Sequence, residues 1–161
     1  MDSVVGDTPA IVSKPENKPL VSAALRLLSR RDYSRSEFIS KLIWAFDKAE
    51  IEATADWCHA QGFLNESRFA EATSRRLGIK YGAQRVAHTL RQKGVAEDHV
   101  SAAISTLKET EPERARALWS RRFGNIAGSN DEKAKQIRYL QSRGFSFAII
   151  KRVISGANDE T

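Results

Sequence analysis

The chain contains a single cysteine, Cys58, among 161 residues. A lone thiol excludes an internal disulfide and leaves no sulfur pair for a structural zinc site. The histidines His59, His88 and His99 are scattered, so no metal site is expected. There is no apolar run of about 18 residues and no basic-then-apolar leader, which argues against membrane insertion or secretion and makes the cytoplasm the expected compartment. The glycines form no Walker-type phosphate loop, and no Ser/His/Asp or Cys/His set has a readable spacing. The carboxylates Asp32, Glu37, Glu66, Glu113 and Glu132 all fall at helix starts or turns, where capping and the helix dipole account for them. Neither catalysis nor a cofactor is therefore expected. Proline is also scarce: Pro9, Pro15 and Pro19 crowd the first 19 residues and only Pro112 lies beyond them. With small polar neighbours and no apolar periodicity, residues 1–19 read as a disordered arm, and residues 157–161 as a flexible tail. No segment sustains period-2 alternation with turn signals, so no sheet is assigned.

What the chain does contain is repetition. Ser-Arg-Arg occurs at Ser29–Arg31, Ser74–Arg76 and Ser120–Arg122, spaced by 45 and 46 residues. A second register runs at an offset of 50, where Leu90, Lys93, Gly94 and Val95 recur as Leu140, Arg143, Gly144 and Phe145, and Val100 and Ile104 recur as Ile150 and Ile154. A period of this length points to stacked helical units, each with a small core, rather than to one domain built around a pocket. The boundaries expected are 20–64, 65–110 and 111–156, giving an all-α, elongated and curved molecule of three tandem three-helix repeats.

Helical periodicity and caps place the elements. In the first repeat, Val21, Ala24, Leu25, Leu27 and Leu28 share a face from about Leu20. Ser34 and Glu37 then form a capping box before the stripe of Phe38, Ile39, Leu42, Ile43 and Phe46. A third helix after Lys48 turns Ile51, Ala55 and Cys58 inward and ends at Gly62. In the second repeat Asn65 or Ser67 caps a helix with Phe69, Ala72 and Leu77. Gly78 and Gly82 break it, and the next helix runs through Val86, Ala87 and Leu90 to Gly94 before Val100, Ala103, Ile104 and Leu107 mark the third. The last repeat opens on a capping box of Thr110 and Glu113, carries Ala115, Leu118, Trp119 and Phe123, and breaks between Gly124 and Gly128. Ser129 with Glu132 starts its second helix, and Ser146 its third. Gly94 and Gly144 are expected as left-handed C-caps. Phe38, Phe46, Trp57, Phe69, Trp119, Phe123 and Phe145 fall in phase with aliphatic neighbours and read as core, whereas Tyr81 and Phe147 are candidates for an exposed contact.

Charge is unevenly distributed. Residues 1–66 carry 8 basic and 10 acidic side chains, residues 67–110 carry 8 and 4, and residues 113–155 carry 10 and 3. Within a net charge of +6 this gradient favours a polyanionic partner for the C-terminal two thirds, since each neutralised phosphate releases counterions. The candidate contact residues are Arg75, Arg76, Arg121 and Arg122 from the repeated tripeptides, Lys80, Tyr81 and Arg85 from the glycine-flanked turn, Arg91 and Lys93 beside Gly94, and Lys133, Lys135, Arg138, Arg143, Lys151 and Arg152 from the last repeat.

Four ordered segments carry a family resemblance. They are Ala24–Glu37 (ALRLLSRRDYSRSE), Gly62–Ala70 (GFLNESRFA), Gly82 and Arg85 leading to Leu90–Val95 (LRQKGV), and Leu140–Ser146 (LQSRGFS). Over about Leu20–Ile154 the chain resembles the RecX family, regulators of the RecA recombinase; Ala83 stands where that family often has proline. The resemblance implies a non-catalytic protein that lies in the groove of the RecA nucleoprotein filament, inhibits its ATPase and strand exchange, and limits filament growth in homologous recombination, DNA repair and the SOS response. It would contact DNA without strong sequence preference and act as a monomer. The competing expectation is an autonomous helix-turn-helix DNA-binding protein. Basic residues dispersed over the repeats, with no zipper-like heptads, disfavour it.

Overall fold

The computed structural model describes residues 11–156. Among these residues there are nine helices and no strand: α1 (Lys18–Leu28), α2 (Arg35–Leu42), α3 (Lys48–Ala60), α4 (Glu66–Gly78), α5 (Ala83–Gln92), α6 (Glu97–Lys108), α7 (Glu111–Arg122), α8 (Asn130–Ser142) and α9 (Phe147–Ile154). None of them is long and apolar enough to cross a membrane. The described residues up to Asn65 form one compact unit and those from Glu66 onward a second.

At 8 to 13 residues these helices are too short to persist alone, so burial of their apolar stripes must hold them. In the first unit α1, α2 and α3 close over Leu20, Ala24, Phe38, Ile51, Ala55 and Cys58, each fully buried. The capping box forms: the Ser34 hydroxyl accepts the Glu37 N–H at 3.1 Å. Asp47 caps α3 by accepting the N–H groups of Ala49 and Glu50. Helix α1 starts earlier than the sequence suggested, at Lys18, because Asn17 Oδ1 accepts the Leu20 N–H and Pro19 sits in the first turn, where a missing N–H has no cost. Of the expected arm, residues 1–10 lie outside the described residues, as does the 157–161 tail. Beyond residue 10 the arm is placed against the fold: Val12 packs on the first core, and the Lys14 ammonium lies 5.8 Å from the Trp57 ring centroid.

The second unit has two cores. Helices α4, α5 and α6 bury Phe69, Val86, Leu90, Val95 and Val100; α7, α8 and α9 bury Ala115, Leu118, Leu140, Phe145, Ile150 and Val153. Ser129 and Ser146 cap α8 and α9 by accepting the Glu132 and Ile149 N–H groups. The expected box at Thr110 does not form. That hydroxyl instead donates to the Leu107 carbonyl and accepts from Arg114 Nε, so it closes the end of α6 rather than the start of α7.

Arg114 belongs to a polar junction joining the two layers of this unit. Its guanidinium donates to the carbonyls of Gly78, Tyr81 and Leu107 at 2.7, 2.9 and 2.9 Å, satisfying acceptors exposed where α4 and α6 end. Burial lowers its pKa, and the nearby Glu111 charge opposes that shift. Glu111, itself buried, accepts the Ala83 N–H at 3.0 Å and so caps α5 from the neighbouring layer. Gly82 N–H donates to the Arg143 carbonyl at 2.7 Å. The glycines permit this approach. A Cβ on Gly82 would stand 2.4 Å from the Gly144 carbonyl oxygen, and one on Gly144 2.4 Å from Arg85 Cβ. Gly144 also adopts φ +88 and Gly94 φ +76, the left-handed caps expected. Gly78 is not a breaker but the last residue of α4, buried where a Cβ would meet the Leu107 side chain at 2.6 Å from Cδ1.

Two outcomes test this account. Gly124→Ala, at φ +76 with its nearest Cβ neighbour at an ordinary 3.4 Å, should cost only left-handed strain, about 1–2 kcal/mol. Gly144→Ala adds overpacking of about 1–3 kcal/mol to the same strain; equal losses in denaturant titrations of the two variants would refute the close-approach reading. In the first unit, burial raises the Cys58 thiol from 9.0 to about 11. The stability due to keeping it neutral is complete below pH 9.0 and is lost as pH rises toward 11. Thiol-specific labelling should accordingly be slow in the native protein at neutral pH and immediate on unfolding.

Candidate functional site

The turn from Ile79 to Gly82 and the start of α5 lie against the turn between α8 and α9, and the charged side chains of both turns gather round two tyrosines. The Arg85 guanidinium carbon lies 4.1 Å from the Tyr81 ring centroid, and Arg85 Nη1 donates to the Ser142 carbonyl at 2.9 Å. Arg143 reaches both rings, 5.6 Å from Tyr81 and 5.3 Å from Tyr139. Arg122 lies 5.8 Å from Tyr139. Beside them Lys80, Arg121, Arg122 and Arg143, with Leu118 and Tyr139, line an open cleft of about 350 Å³. Four cations converge there with no carboxylate in the lining.

The rings govern what the guanidiniums can do. A guanidinium over a ring face is attracted by the aromatic quadrupole while its N–H edge stays available to an acceptor. Arg85 stacks on Tyr81, and Arg122 and Arg143 lie within cation–π reach of the rings, contacts that favour particular orientations of the guanidiniums without neutralising them. A convergent set of donors suits phosphate oxygens, which accept N–H bonds from several directions.

The structure brings together Lys80, Tyr81, Arg85, Arg121, Arg122 and Arg143 from the residues singled out in the sequence. The remainder lie elsewhere. Arg75 lines a separate groove with Glu71, Ala103 and Leu107, and Arg76 is exposed near the end of α4, so the second Ser-Arg-Arg does not share the cleft of the third. Arg91 makes a two-point ion pair with Glu97, at 2.7 and 3.0 Å, and Lys93 is half-buried. Lys133 and Lys151 flank an apolar depression with Ile126, Ile137 and Phe147; Lys135 lines another with Phe123 and Gln136. Arg138 and Arg152 are exposed on α8 and α9. Of the two aromatic exceptions, Phe147 is 64% exposed, whereas Tyr81 is half-buried under its two arginines.

Sequence reading missed Tyr139, Glu111 and Arg114. Tyr139 was hidden because its position on α8 is partly core. Glu111 and Arg114 carried one visible signal, an opposite-charge i,i+3 pair at the start of α7, but that spacing is equally common on solvated helices.

Comparison with known proteins bears on the same residues. The family model described as the second three-helix domain of RecX matches residues 65–104, and that for the third matches residues 109–154. The regulatory protein RecX of Leptothrix cholodnii is 40% identical over 148 residues, covering 89% of this chain and 94% of that protein. The regulatory protein RecX of Ralstonia pickettii is 38% identical over 141 residues, covering 87% and 89%. The crystal structure of RecX from Lactobacillus salivarius superimposes with a TM-score of 0.74 at 21% identity, covering 85% of this chain and 93% of that one, a likeness of fold. With two domain matches in order and relatives of this similarity along nearly their whole length, the chain belongs to the RecX family.

Proposed function

We propose that this protein is a negative regulator of the RecA recombinase. It binds the RecA–DNA filament, inhibits ATP hydrolysis and strand exchange, and limits filament growth. The observation that carries the reading at the level of residues is the cleft of Lys80, Arg121, Arg122 and Arg143, with Tyr81 and Tyr139 setting the guanidiniums. Family membership supplies the regulatory role, and the cleft supplies the chemistry for a phosphate backbone.

Contacts to phosphates fix position without conveying sequence, which suits a protein that must act anywhere along a filament. The hydrogen-bonded junction beneath the cleft matters for the same reason, since cations already held together need little ordering on binding. Lys133, Lys135, Arg138, Lys151 and Arg152 extend the positive field of the last repeat and steer association with the filament. Arg75, Arg76 and Lys93 contribute more remotely. Arg91 is the weakest candidate of the set, because its guanidinium already serves the Glu97 carboxylate.

Titration against random duplex, single-stranded DNA and RecA filaments tests the proposal. The filament should bind most tightly, with little dependence on base sequence, and bound protein should slow RecA ATP hydrolysis. A marked preference for one duplex sequence would favour a helix-turn-helix reader instead. Replacing Arg121 and Arg122 together with alanine should weaken filament binding and lower its salt slope by up to about 2, with helicity by circular dichroism unchanged. An unchanged slope removes these two residues from the interface.

A further inference from the structure

Trp44 is 92% exposed, in a chain whose other tryptophans are packed: Trp57 is buried in the first core, and Trp119 donates its indole N–H to Gln136 at 2.9 Å. It stands at the tip of the turn between α2 and α3, flanked by Ile43, 44% exposed, and the exposed Ala45. The turn is firmly held. Ala45 and Phe46 donate their N–H groups to the Leu42 carbonyl at 3.1 and 3.2 Å, Phe46 packs on the core, and Asp47 caps the next helix. Three consecutive apolar residues are thus presented to solvent on a rigid support.

The equivalent turns of the other repeats differ in kind. Between α5 and α6 the chain reads Lys93-Gly94-Val95, and between α8 and α9 Arg143-Gly144-Phe145: a cation, a left-handed glycine and a buried apolar residue. In the last repeat that turn packs against the α4–α5 turn and lends Arg143 to the basic cleft. The first repeat has neither the cation nor the glycine; Phe46 packs inward, but Ile43, Trp44 and Ala45 before it face outward. Its charge also differs: residues 11–65 carry 8 basic and 7 acidic side chains, without the cationic excess of the last two repeats. Near the tip, Lys41 and Lys48 are offset by Asp47 and Glu50. An indole used to stack on bases normally sits in a positive groove. An indole on a nearly neutral surface suits an apolar pocket on a protein.

We propose that Ile43, Trp44 and Ala45 form the contact of this protein with the recombinase subunits of the filament, Trp44 entering an apolar pocket of a subunit while the basic cleft of the last two repeats takes the DNA. The proposal rests on the filament-binding reading above and divides that binding between two surfaces.

The test compares the full-length wild type, Trp44→Ala, Trp44→Phe and the Arg121→Ala/Arg122→Ala variant for affinity to RecA filaments and to naked duplex and single-stranded DNA. Because the indole is exposed, Trp44→Ala should keep the wild-type circular dichroism and melting curve. Its filament affinity should fall by about tenfold or more, the loss expected for a central interface tryptophan, with naked-DNA affinity unchanged. Trp44→Phe should recover part of that loss. Several outcomes overturn the inference: an equal loss on naked DNA, which makes the indole a base-stacking group; unaltered filament affinity; or a wild-type self-association, seen by sedimentation, that Trp44→Ala abolishes, which makes the partner a second copy. If the arginine variant loses filament binding while Trp44→Ala keeps it, only this inference fails; if the wild type shows no preference for filaments, the functional reading fails with it.

Discussion

The basic cleft depends on one close approach of two backbones, that of Gly82 and Gly144. The 2.7 Å hydrogen bond from Gly82 N–H to the Arg143 carbonyl sets the distance between the α4–α5 and α8–α9 turns. Side chains on either glycine would force them apart. At that distance Arg85 reaches both the Tyr81 ring and the Ser142 carbonyl, and Arg143 lies between Tyr81 and Tyr139. A separation greater by one methyl group would cost more than packing. It would uncouple the arginines from the rings that orient them.

Holding several cations together opposes folding, since like charges repel and their effective attraction to a partner is gained only when the partner is present. The second unit manages this with local, mostly neutral supports. Tyrosine faces and backbone carbonyls absorb part of the guanidinium charge without removing it, as carboxylates would. The carboxylate that is buried, Glu111, points away from the cleft chemistry toward the Ala83 N–H and the Arg114 charge. The two kinds of charge are separated: Glu111 serves the junction, and no carboxylate lines the cleft.

Much of this was legible in the sequence wherever a signal is local. Ser34, Ser129 and Ser146 cap helices because a hydroxyl three residues before an N–H needs no tertiary information. Gly94 and Gly144 announce left-handed caps for the same reason. Thr110 was misread because its hydroxyl had a competing acceptor, the Leu107 carbonyl, and a competing donor, Arg114, both created by the meeting of α6 and α7. The three Ser-Arg-Arg copies looked equivalent, yet Arg75 and Arg121 line different grooves. Sequence period fixes a residue's place on its helix; which neighbour covers that place is decided by inter-helix packing, and packing is not periodic. Trp44 carries no periodic signal for a related reason, since it lies within the span of the stripe of Phe38, Ile39, Leu42, Ile43 and Phe46 but off its face.

Ala83 shows how a single position links the two layers. Proline at a first helical position fixes φ and lacks an N–H that would otherwise go unpaired, so it stiffens a turn from within. The family resemblance read from the sequence leads one to expect proline there. Alanine gives up that local stiffness but keeps the donor, and in this chain the donor is used: Ala83 N–H meets the buried Glu111 carboxylate from the next layer. The turn that carries Lys80 and Tyr81 is therefore held by a tertiary hydrogen bond to a charged acceptor instead of by a ring, a bond of the stronger kind when buried. The consequence is coupling. Any change that shifts α7 against α5 also loosens the Lys80–Tyr81 turn, so the shape of the cleft and the packing of the second and third repeats cannot vary independently.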